Sequence, residues 1–187
     1  MQPPGEMQLQ FKQVLPYFFR GKVVSGFGRG GKQLNCPTAN LDDVTVSALP
    51  PQLTTGVFYG LARITNGDSP NYQAISLFNY SNYLKFNCFQ RPYNMVMSIG
   101  WNPQFDGKQK TMEVHILHKF NGDFYGAQIE GLICGFVREM KSFKSLEDLI
   151  TAIEADKQFT EKEMSSRNDK DELIKQYFDG TNSPAKL

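Results

Sequence analysis

A glycine-rich, basic stretch at residues 26–40 carries the residue types that hold a phosphate group. Its four glycines allow tight turns that bring backbone N–H groups close to an anion. Arg29 and Lys32 add positive charge beside them. The stretch therefore predicts a phosphate-binding loop, with an ordinary surface turn as the alternative that this loop alone leaves open.

The end of this stretch offers two neutral oxygen ligands two residues apart. Pro37 disfavours helical geometry for the residue before it. If residues 38–40 are extended, the Thr38 hydroxyl and the Asn40 amide oxygen project from one face. Such oxygens suit Mg²⁺, which takes its remaining ligands from water and phosphates. The pattern predicts a metal beside the phosphate.

Two general nucleotide-binding motifs match the loop only in part. G-x-G-x-x-G fits from Gly26 to Gly31, and the P-loop pattern nearly fits as far as Lys32. However, Gln33 stands where the P-loop needs Ser or Thr, and Pro37 prevents the long helix that both motifs require. The chain also has no His-Arg-Asp catalytic loop of protein kinases.

Glu113 lies in a run of alternating polar and apolar residues at 111–118, which predicts a strand. Alternation places Glu113 on one face with Thr111 and His115. A lone Glu on a strand is most often a solvated side chain. Each of His115 and His118 is by default a hydrogen-bonded structural residue rather than a catalyst.

Composition indicates one domain with a sizeable core, since the 187 residues are 40% hydrophobic. The 20 Lys and Arg nearly balance the 19 Asp and Glu, which gives no reason to expect nucleic acid or a membrane as a partner. The three cysteines lack metal-type spacing and indicate reduced thiols inside a cell.

Residue patterns predict a barrel of strands followed by helices. Segments rich in aromatic and β-branched residues predict strands at 17–24, 56–64, 93–99, 111–118 and 132–138. From Ser145, a helix N-cap, apolar residues recur at helical spacing, and a second, weaker helix places Leu173 and Phe178 on one side. Strands first and helices last favour a small antiparallel barrel closed by helices over a doubly wound sheet.

Several runs, taken in order, resemble the riboflavin kinases of the monofunctional, eukaryotic type. They are GKVV at 21–24, PTANL at 37–41, TGVFYG at 55–60, SIGWNP at 98–103, MEVH at 112–115 and DFYG at 123–126. The resemblance implies a single six-stranded antiparallel, Greek-key-like barrel with C-terminal helices packed on it. It also implies transfer of the γ-phosphoryl group of ATP to the 5′-hydroxyl of riboflavin, which gives FMN and ADP.

The resemblance further implies a role for individual residues. Phosphates would be held by Gly26 and Lys32, Mg²⁺ and nucleotide by Thr38 and Asn40, adenosine by Ile116, His118 and Tyr125, and flavin by Arg138, Lys141 and Phe143. Glu113 would be the catalytic base. Zn²⁺ or Mn²⁺ are alternatives to Mg²⁺, and a monomer is expected. The alternative function is a flavin- or nucleotide-binding barrel without chemistry.

The expected domain limits are a flexible N-terminus at 1–14, the kinase domain at 15–180 and a tail at 181–187. An insertion relative to the family is expected at about residues 66–92. No apolar run is long enough to span a bilayer. The tail ends in Ala185-Lys186-Leu187, close to a Ser-Lys-Leu peroxisomal address, so we expect a cytoplasmic protein or import into a peroxisome-type organelle.

Overall fold

Six antiparallel strands close into a barrel in the computed structural model, which describes residues 11–26, 36–65, 91–101, 110–120 and 123–179. The strands are β1 Tyr17–Val24, β2 Ala39–Leu41, β3 Gly56–Ile64, β4 Tyr93–Trp101, β5 Lys110–Ile116 and β6 Gln128–Arg138. Their order around the barrel is β1-β2-β5-β4-β3-β6. The predicted barrel is confirmed.

Alternation of side chains builds the core inside the barrel. In β5, Met112, Val114 and Ile116 are buried, while the residues between them are half-buried. The same alternation places Met95, Met97 and Ile99 of β4 inside. Residues that point outward from these strands are therefore available to a site on the barrel surface.

Every strand runs antiparallel to its neighbours, so the connections fall at two ends of the barrel. The end of β1, the start of β2 and the end of β5 lie together, because Val24 pairs with Asn40 and Ala39 pairs with Val114. This end, called here the loop end, receives the connections β1–β2, β3–β4 and β5–β6. The opposite end carries the β2–β3 and β4–β5 connections and the segment after β6. The β2–β3 connection includes a short helix, α1 Asp43–Ser47.

Two C-terminal helices, α2 Leu146–Ser166 and α3 Lys170–Tyr177, pack on the outside of the barrel. Ser145 Oγ accepts a hydrogen bond from Asp148 N at 3.1 Å, as the predicted N-cap requires. Met164 of α2 and Leu173 of α3 are buried against outward-facing Leu61 and Leu132. The two predicted helices are confirmed.

Four strand limits differ from those that the sequence predicts. β4 extends to Trp101 rather than to 99, and β5 begins at Lys110 rather than at 111. β6 begins at Gln128 rather than at 132, because Gln128 to Gly131 pair with β1 on one side. β5 ends at Ile116 rather than at 118, because His118 N donates to Ile116 O at 2.7 Å and turns the chain. The alternating pattern of residue types thus continues past the last residue of the strand.

Residues 11–14, which the sequence assigns to the N-terminal segment, pack on the barrel. Phe11 is only 1% exposed and contacts the rings of Phe58 and Phe136 with centroids 5.3 and 5.0 Å away. One aromatic residue among polar neighbours gives no periodic signal, which is why this contact was not predicted.

Several predicted features lie outside the described residues. They are Lys32 with most of the glycine-rich loop, the insertion except for its last two residues, one of the three cysteines (Cys88), and the tripeptide at 185–187. Among the helices of the described ranges, none combines the length and the apolar character needed to cross a bilayer.

Candidate active site

Asn40 and Glu113 are direct cross-strand partners, and this pairing is the centre of the candidate site. β2 pairs with β5 through Ala39 opposite Val114 and Asn40 opposite Glu113. Ala39 and Val114 are buried in the core, so Asn40 and Glu113 point to the outside of the barrel. Directly opposed side chains have Cβ atoms about 4.5–5.5 Å apart. An amide and a carboxylate are therefore neighbours on the barrel surface.

The same row continues across three more strands. Glu113 pairs with Ser98 of β4, and Ser98 pairs with Val57 of β3. Val57 in turn pairs with Arg138 of β6. Asn40, Glu113 and Arg138, which the sequence singles out, therefore share one row. Glu113 is next to Asn40, and three strand spacings, about 15 Å, separate Glu113 from Arg138.

A register shift in β6 turns Arg138 toward the outside. The β3–β6 ladder shifts between Val57 and Phe58, so that Phe136 pairs with Phe58 while Arg138 pairs with Val57. Phe136 packs against the core, and the Arg138 guanidinium reaches α2. Shifts of this kind re-aim side chains in many sheets. Regular alternation would have given Arg138 the same side as Phe136.

Gly26 lies against the carboxamide of Asn40. A Cβ atom built on Gly26 would stand 2.1 Å from Asn40 Nδ2, far inside van der Waals contact. Glycine is therefore the residue that lets the end of β1 approach Asn40 so closely. Thr38 is half-buried and directly precedes β2, two residues before Asn40. These three predicted residues are brought together.

His115 ties the segment before β2 to β5. Its Nδ1 lies 2.7 Å from the Pro37 carbonyl oxygen, which can only accept, so Nδ1 carries the proton and donates. Burial lowers the pKa of His115, and the hydrogen bond to Pro37 opposes that shift. The sequence-based default, a structural hydrogen-bonded histidine, describes this residue, and its partner stands next to Thr38.

The residues that the resemblance assigns to adenosine lie at or near the loop end. Ile116 is 5% exposed and belongs to the core, so most of its side chain is unavailable to a ligand. His118 stacks on Tyr93 with ring centroids 4.0 Å apart, and burial lowers its pKa. Tyr125 is 50% exposed and precedes Gly126, whose N–H donates to Val23 O at 2.8 Å.

The three residues assigned to the flavin form one cluster after β6. The Phe143 ring has the Arg138 guanidinium 5.6 Å and the Lys141 ammonium 5.2 Å from its centroid. These are cation–π distances. Asp156 of α2 holds the same guanidinium through two hydrogen bonds, Nε to Oδ1 at 2.8 Å and Nη2 to Oδ2 at 2.7 Å.

Helix α2 also lies close enough to the segment before β2 to influence its electrostatics, which the sequence did not predict. Burial raises the pKa of the Cys36 thiol; Lys157 opposes that shift, and Glu154, Glu113 and Asp156 add to it. Lys157 and Glu154 of α2 likewise influence His115. A sequence signal for Asp156 exists, because it falls seven residues after Leu149 and four before Thr160, on the buried stripe of α2.

The oxygen donors near Asn40 fit a hard divalent cation. A hydroxyl at Thr38, an amide at Asn40 and a carboxylate at Glu113 are ligand types that Mg²⁺ accepts while it keeps waters and phosphate oxygens. Within the described ranges there is no cluster of three or more His, Cys, Asp or Glu side chains that could hold a metal alone. The donor set thus fits an ion that arrives with a nucleotide.

A family model, a relative and a solved structure point to the same family. The family model described as Flavokinase: Riboflavin kinase matches residues 13–164. The chain is similar to riboflavin kinase of Homo sapiens, with 44% identity over 142 residues that cover 76% of this chain and 77% of that protein. It is also similar to the crystal structure of riboflavin kinase from Trypanosoma brucei, with a TM-score of 0.62, 30% identity and 92% of each chain covered.

A further solved structure shares this barrel within a longer chain. It is the macrolide-efflux protein from Streptococcus pneumoniae, with a TM-score of 0.57 and 28% identity over 84% of this chain. The match covers 42% of that chain, so the present chain spans less than half of its length.

Proposed function

Because this chain belongs to the riboflavin kinase (flavokinase) family, we propose that it performs the reaction of that family with Mg²⁺ and with Glu113 as the catalytic base. The reaction itself is ATP-dependent phosphorylation of riboflavin to FMN. The single observation that carries the proposal is the pairing of Asn40 with Glu113 on the outer face of the barrel. The Asn40 amide, which can bind a metal ion, is thereby next to the Glu113 carboxylate, which can accept a proton.

Glu113 has the position and the chemistry of a general base. Phosphoryl transfer asks the protein mainly for positioning and charge neutralisation, together with a group that orients the attacking hydroxyl. The 5′-hydroxyl of riboflavin is a poor acid, so a carboxylate that accepts its proton as the bond to phosphorus forms lowers the barrier. Glu113 is half-buried on its strand, and its neighbours Met112 and Val114 fill the core behind it.

Thr38 and Asn40 are the residues that would hold Mg²⁺ beside this base. When bound with ATP, the ion supplies charge neutralisation at the phosphate oxygens. His115 fixes the Pro37 carbonyl immediately before Thr38, and Gly26 keeps the space that the Asn40 carboxamide fills. Gly26 and Lys32 are assigned to the nucleotide phosphates by the same proposal.

The two substrates would approach Glu113 from different sides. Adenosine is assigned to the loop end with Ile116, His118 and Tyr125, where exposed Tyr125 offers a larger surface than buried Ile116. Riboflavin is assigned to the cluster of Arg138, Lys141 and Phe143, where an aromatic ring with two cations suits a planar, polar-edged ring system. Glu113 precedes Ile116 by three residues on β5, and it shares the row with Arg138.

A ligand-carrying barrel without chemistry is not favoured, because the family model and the human relative are both riboflavin kinases. The direct test is to incubate purified protein with riboflavin, ATP and Mg²⁺ and to follow FMN by chromatography. We expect FMN with Mg²⁺, none after EDTA, and recovery when Mg²⁺ is restored. Full activity in EDTA would contradict the metal proposal, and side-by-side addition of Zn²⁺ or Mn²⁺ would identify another preferred ion.

We further propose that the protein acts as a monomer. One chain contains all of the residues assigned to both substrates, so the assigned site needs no second copy. Light scattering coupled to size exclusion should give a mass near the 21.2 kDa of one chain. A dimer at assay concentrations would contradict this part of the proposal.

A further inference from the structure

Asp156 is a buried carboxylate on α2 that none of the roles above uses. Only 5% of the residue is exposed, although it lies on the helix face that otherwise buries Thr160 and Met164. A buried carboxylate is costly unless a cation and hydrogen bonds compensate it. Arg138 provides both, through a bidentate contact at 2.8 and 2.7 Å.

The contact fixes the orientation of the Arg138 guanidinium. Nε and Nη2 donate to Asp156, and Nη1 donates to the Glu139 carbonyl at 3.1 Å. Three of the five N–H donors are thereby committed to the protein, and the guanidinium carbon lies 5.6 Å from the centroid of the Phe143 ring. The remaining donors point in directions that Asp156 dictates. The Arg138 side chain keeps 23% of its surface exposed, so a ligand can still reach it.

The contact between Arg138 and Asp156 also restrains the segment that carries Lys141 and Phe143. Arg138 ends β6 and Asp156 is in the third turn of α2, so residues 139–145, with Lys141 and Phe143, lie between two points held together. Asp156 therefore restrains the helix and the arginine with one carboxylate.

We propose that Asp156 is a positioning residue for riboflavin, acting through Arg138. This inference rests on the proposed function, because it takes Arg138 to contact the flavin. Asp156 itself touches no substrate. It holds the guanidinium in the orientation that the flavin meets, so the substrate does not have to order a long side chain when it binds.

Asp156→Asn tests the proposal, because it keeps the size of the side chain and removes the charge. We expect the riboflavin KM, and the Kd from flavin fluorescence, to rise by about 10-fold or more, since a charge-assisted hydrogen bond contributes roughly one such factor. The MgATP KM should stay within about two-fold, because the contact is on the flavin side of the row. Asp156→Glu, which restores the charge, should recover part of the riboflavin affinity.

Glu130→Gln is the matched control for a structural effect. Glu130 is 3% exposed and pairs with Arg20 and Arg63, and Arg63 also donates to the Phe178 carbonyl at the end of α3. It is therefore a second buried carboxylate that links barrel and helices, away from the flavin cluster. The Glu130→Gln substitution should lower the melting temperature of the protein, while its riboflavin KM stays at the wild-type value. If Asp156→Asn also lowers the melting temperature and leaves the riboflavin KM unchanged, Asp156 has only a structural role and the proposal is wrong.

Arg138→Met separates this inference from the proposed function. If Arg138→Met weakens riboflavin binding and Asp156→Asn adds nothing in that background, Asp156 acts through Arg138 as proposed. If Arg138→Met weakens binding and Asp156→Asn alone does not, only the Asp156 inference fails. If Arg138→Met has no effect on riboflavin, the flavin assignment of Arg138 fails and the inference with it. If Asp156→Asn does not fold, Asp156→Glu tests the proposal alone. It moves the carboxylate by one methylene group, so the riboflavin KM must rise above the wild-type value; an unchanged KM would contradict the proposal.

Discussion

Glu113 becomes chemically informative through its neighbours. Alone on a strand it would read as a solvated carboxylate, but Asn40 faces it across the β2–β5 ladder and Ser98 faces it from β4. His115, two residues further on, holds the chain next to Thr38. A carboxylate and neutral side-chain oxygens therefore converge on one part of the barrel surface, as the proposed metal-assisted transfer to an alcohol requires.

Glu113→Gln should lower kcat by about 10²- to 10⁴-fold, the usual contribution of general base catalysis. The substitution keeps size and removes charge and basicity, so affinities for riboflavin and MgATP should change little, as for an interaction made chiefly in the transition state. Turnover at saturating substrates, with binding measured separately, provides the test. Glu161→Gln, on the exposed side of α2, is the control and should leave turnover unchanged. A change in kcat of only a few-fold would mean that Glu113 is a solvated strand residue and not the catalytic base.

Gly26→Ala should raise the MgATP KM with little effect on riboflavin. The new methyl group would stand 2.1 Å from Asn40 Nδ2 and must push that carboxamide away from its position beside Glu113. Displacement by about 1 Å can cost as much as about 10²-fold, so we expect an increase of about 10-fold or more. Gly100→Ala is the control, because its Cβ would come no closer than 3.6 Å to Met140 Cε. Equal MgATP KM values for Gly26→Ala and Gly100→Ala would contradict the assignment of Gly26 and Asn40 to the nucleotide site.

At the level of the elements, sequence patterns were reliable where one strand face is buried and the other is open. β5 follows that rule, and its alternation correctly predicts that Glu113 points outward. In β6 both faces are covered, by the core and by the helices, so the outward-facing Leu132 is as buried as Ile133 and no alternation marks the face. The register shift that turns Arg138 outward arises from pairing with β3, which no local pattern encodes.

Thr160→Val in α2 should stabilise the protein. Thr160 is fully buried, and its Oγ1 has no hydrogen-bond partner within the part of the chain that is described. Valine has the same shape and removes the unsatisfied hydroxyl, so the free energy of unfolding should rise by about 1 kcal/mol. Urea denaturation measures this. Thr151→Val on the exposed face of the same helix should give no comparable gain. A loss of stability with Thr160→Val would mean that the hydroxyl is satisfied in solution.

For the whole molecule, sequence patterns predict the fold class and the resemblance proposes the site residues, but neither predicts how the barrel joins those residues. The row from Asn40 through Glu113 to Arg138 exists because four consecutive antiparallel ladders set the register of five strands. Register between distant strands depends on packing and turn geometry rather than on local residue type. The contribution of α2, through Asp156, likewise depends on where the helix docks on the barrel.

Residues 11–14 pack at the barrel end opposite the loop end, and Phe11 is the most buried of them. The Phe11 ring contacts Phe58 at the start of β3 and Phe136 near the end of β6, and all three belong to the core or pack against it. Phe11 is 1% exposed, and its carbonyl accepts hydrogen bonds from Val14 N and Leu15 N at 3.1 and 3.0 Å. The segment is thus held in place by its own turn.

Phe11→Ala should therefore lower the free energy of unfolding by about 3–5 kcal/mol, as expected when a buried aromatic side chain leaves a cavity. Lys12→Ala is the matched control, since Lys12 is exposed in the same turn and should change stability by less than about 0.5 kcal/mol. Midpoints of urea denaturation, compared at equal slope, measure both changes. If the two variants were equally stable, residues 11–14 would not be part of the barrel in solution.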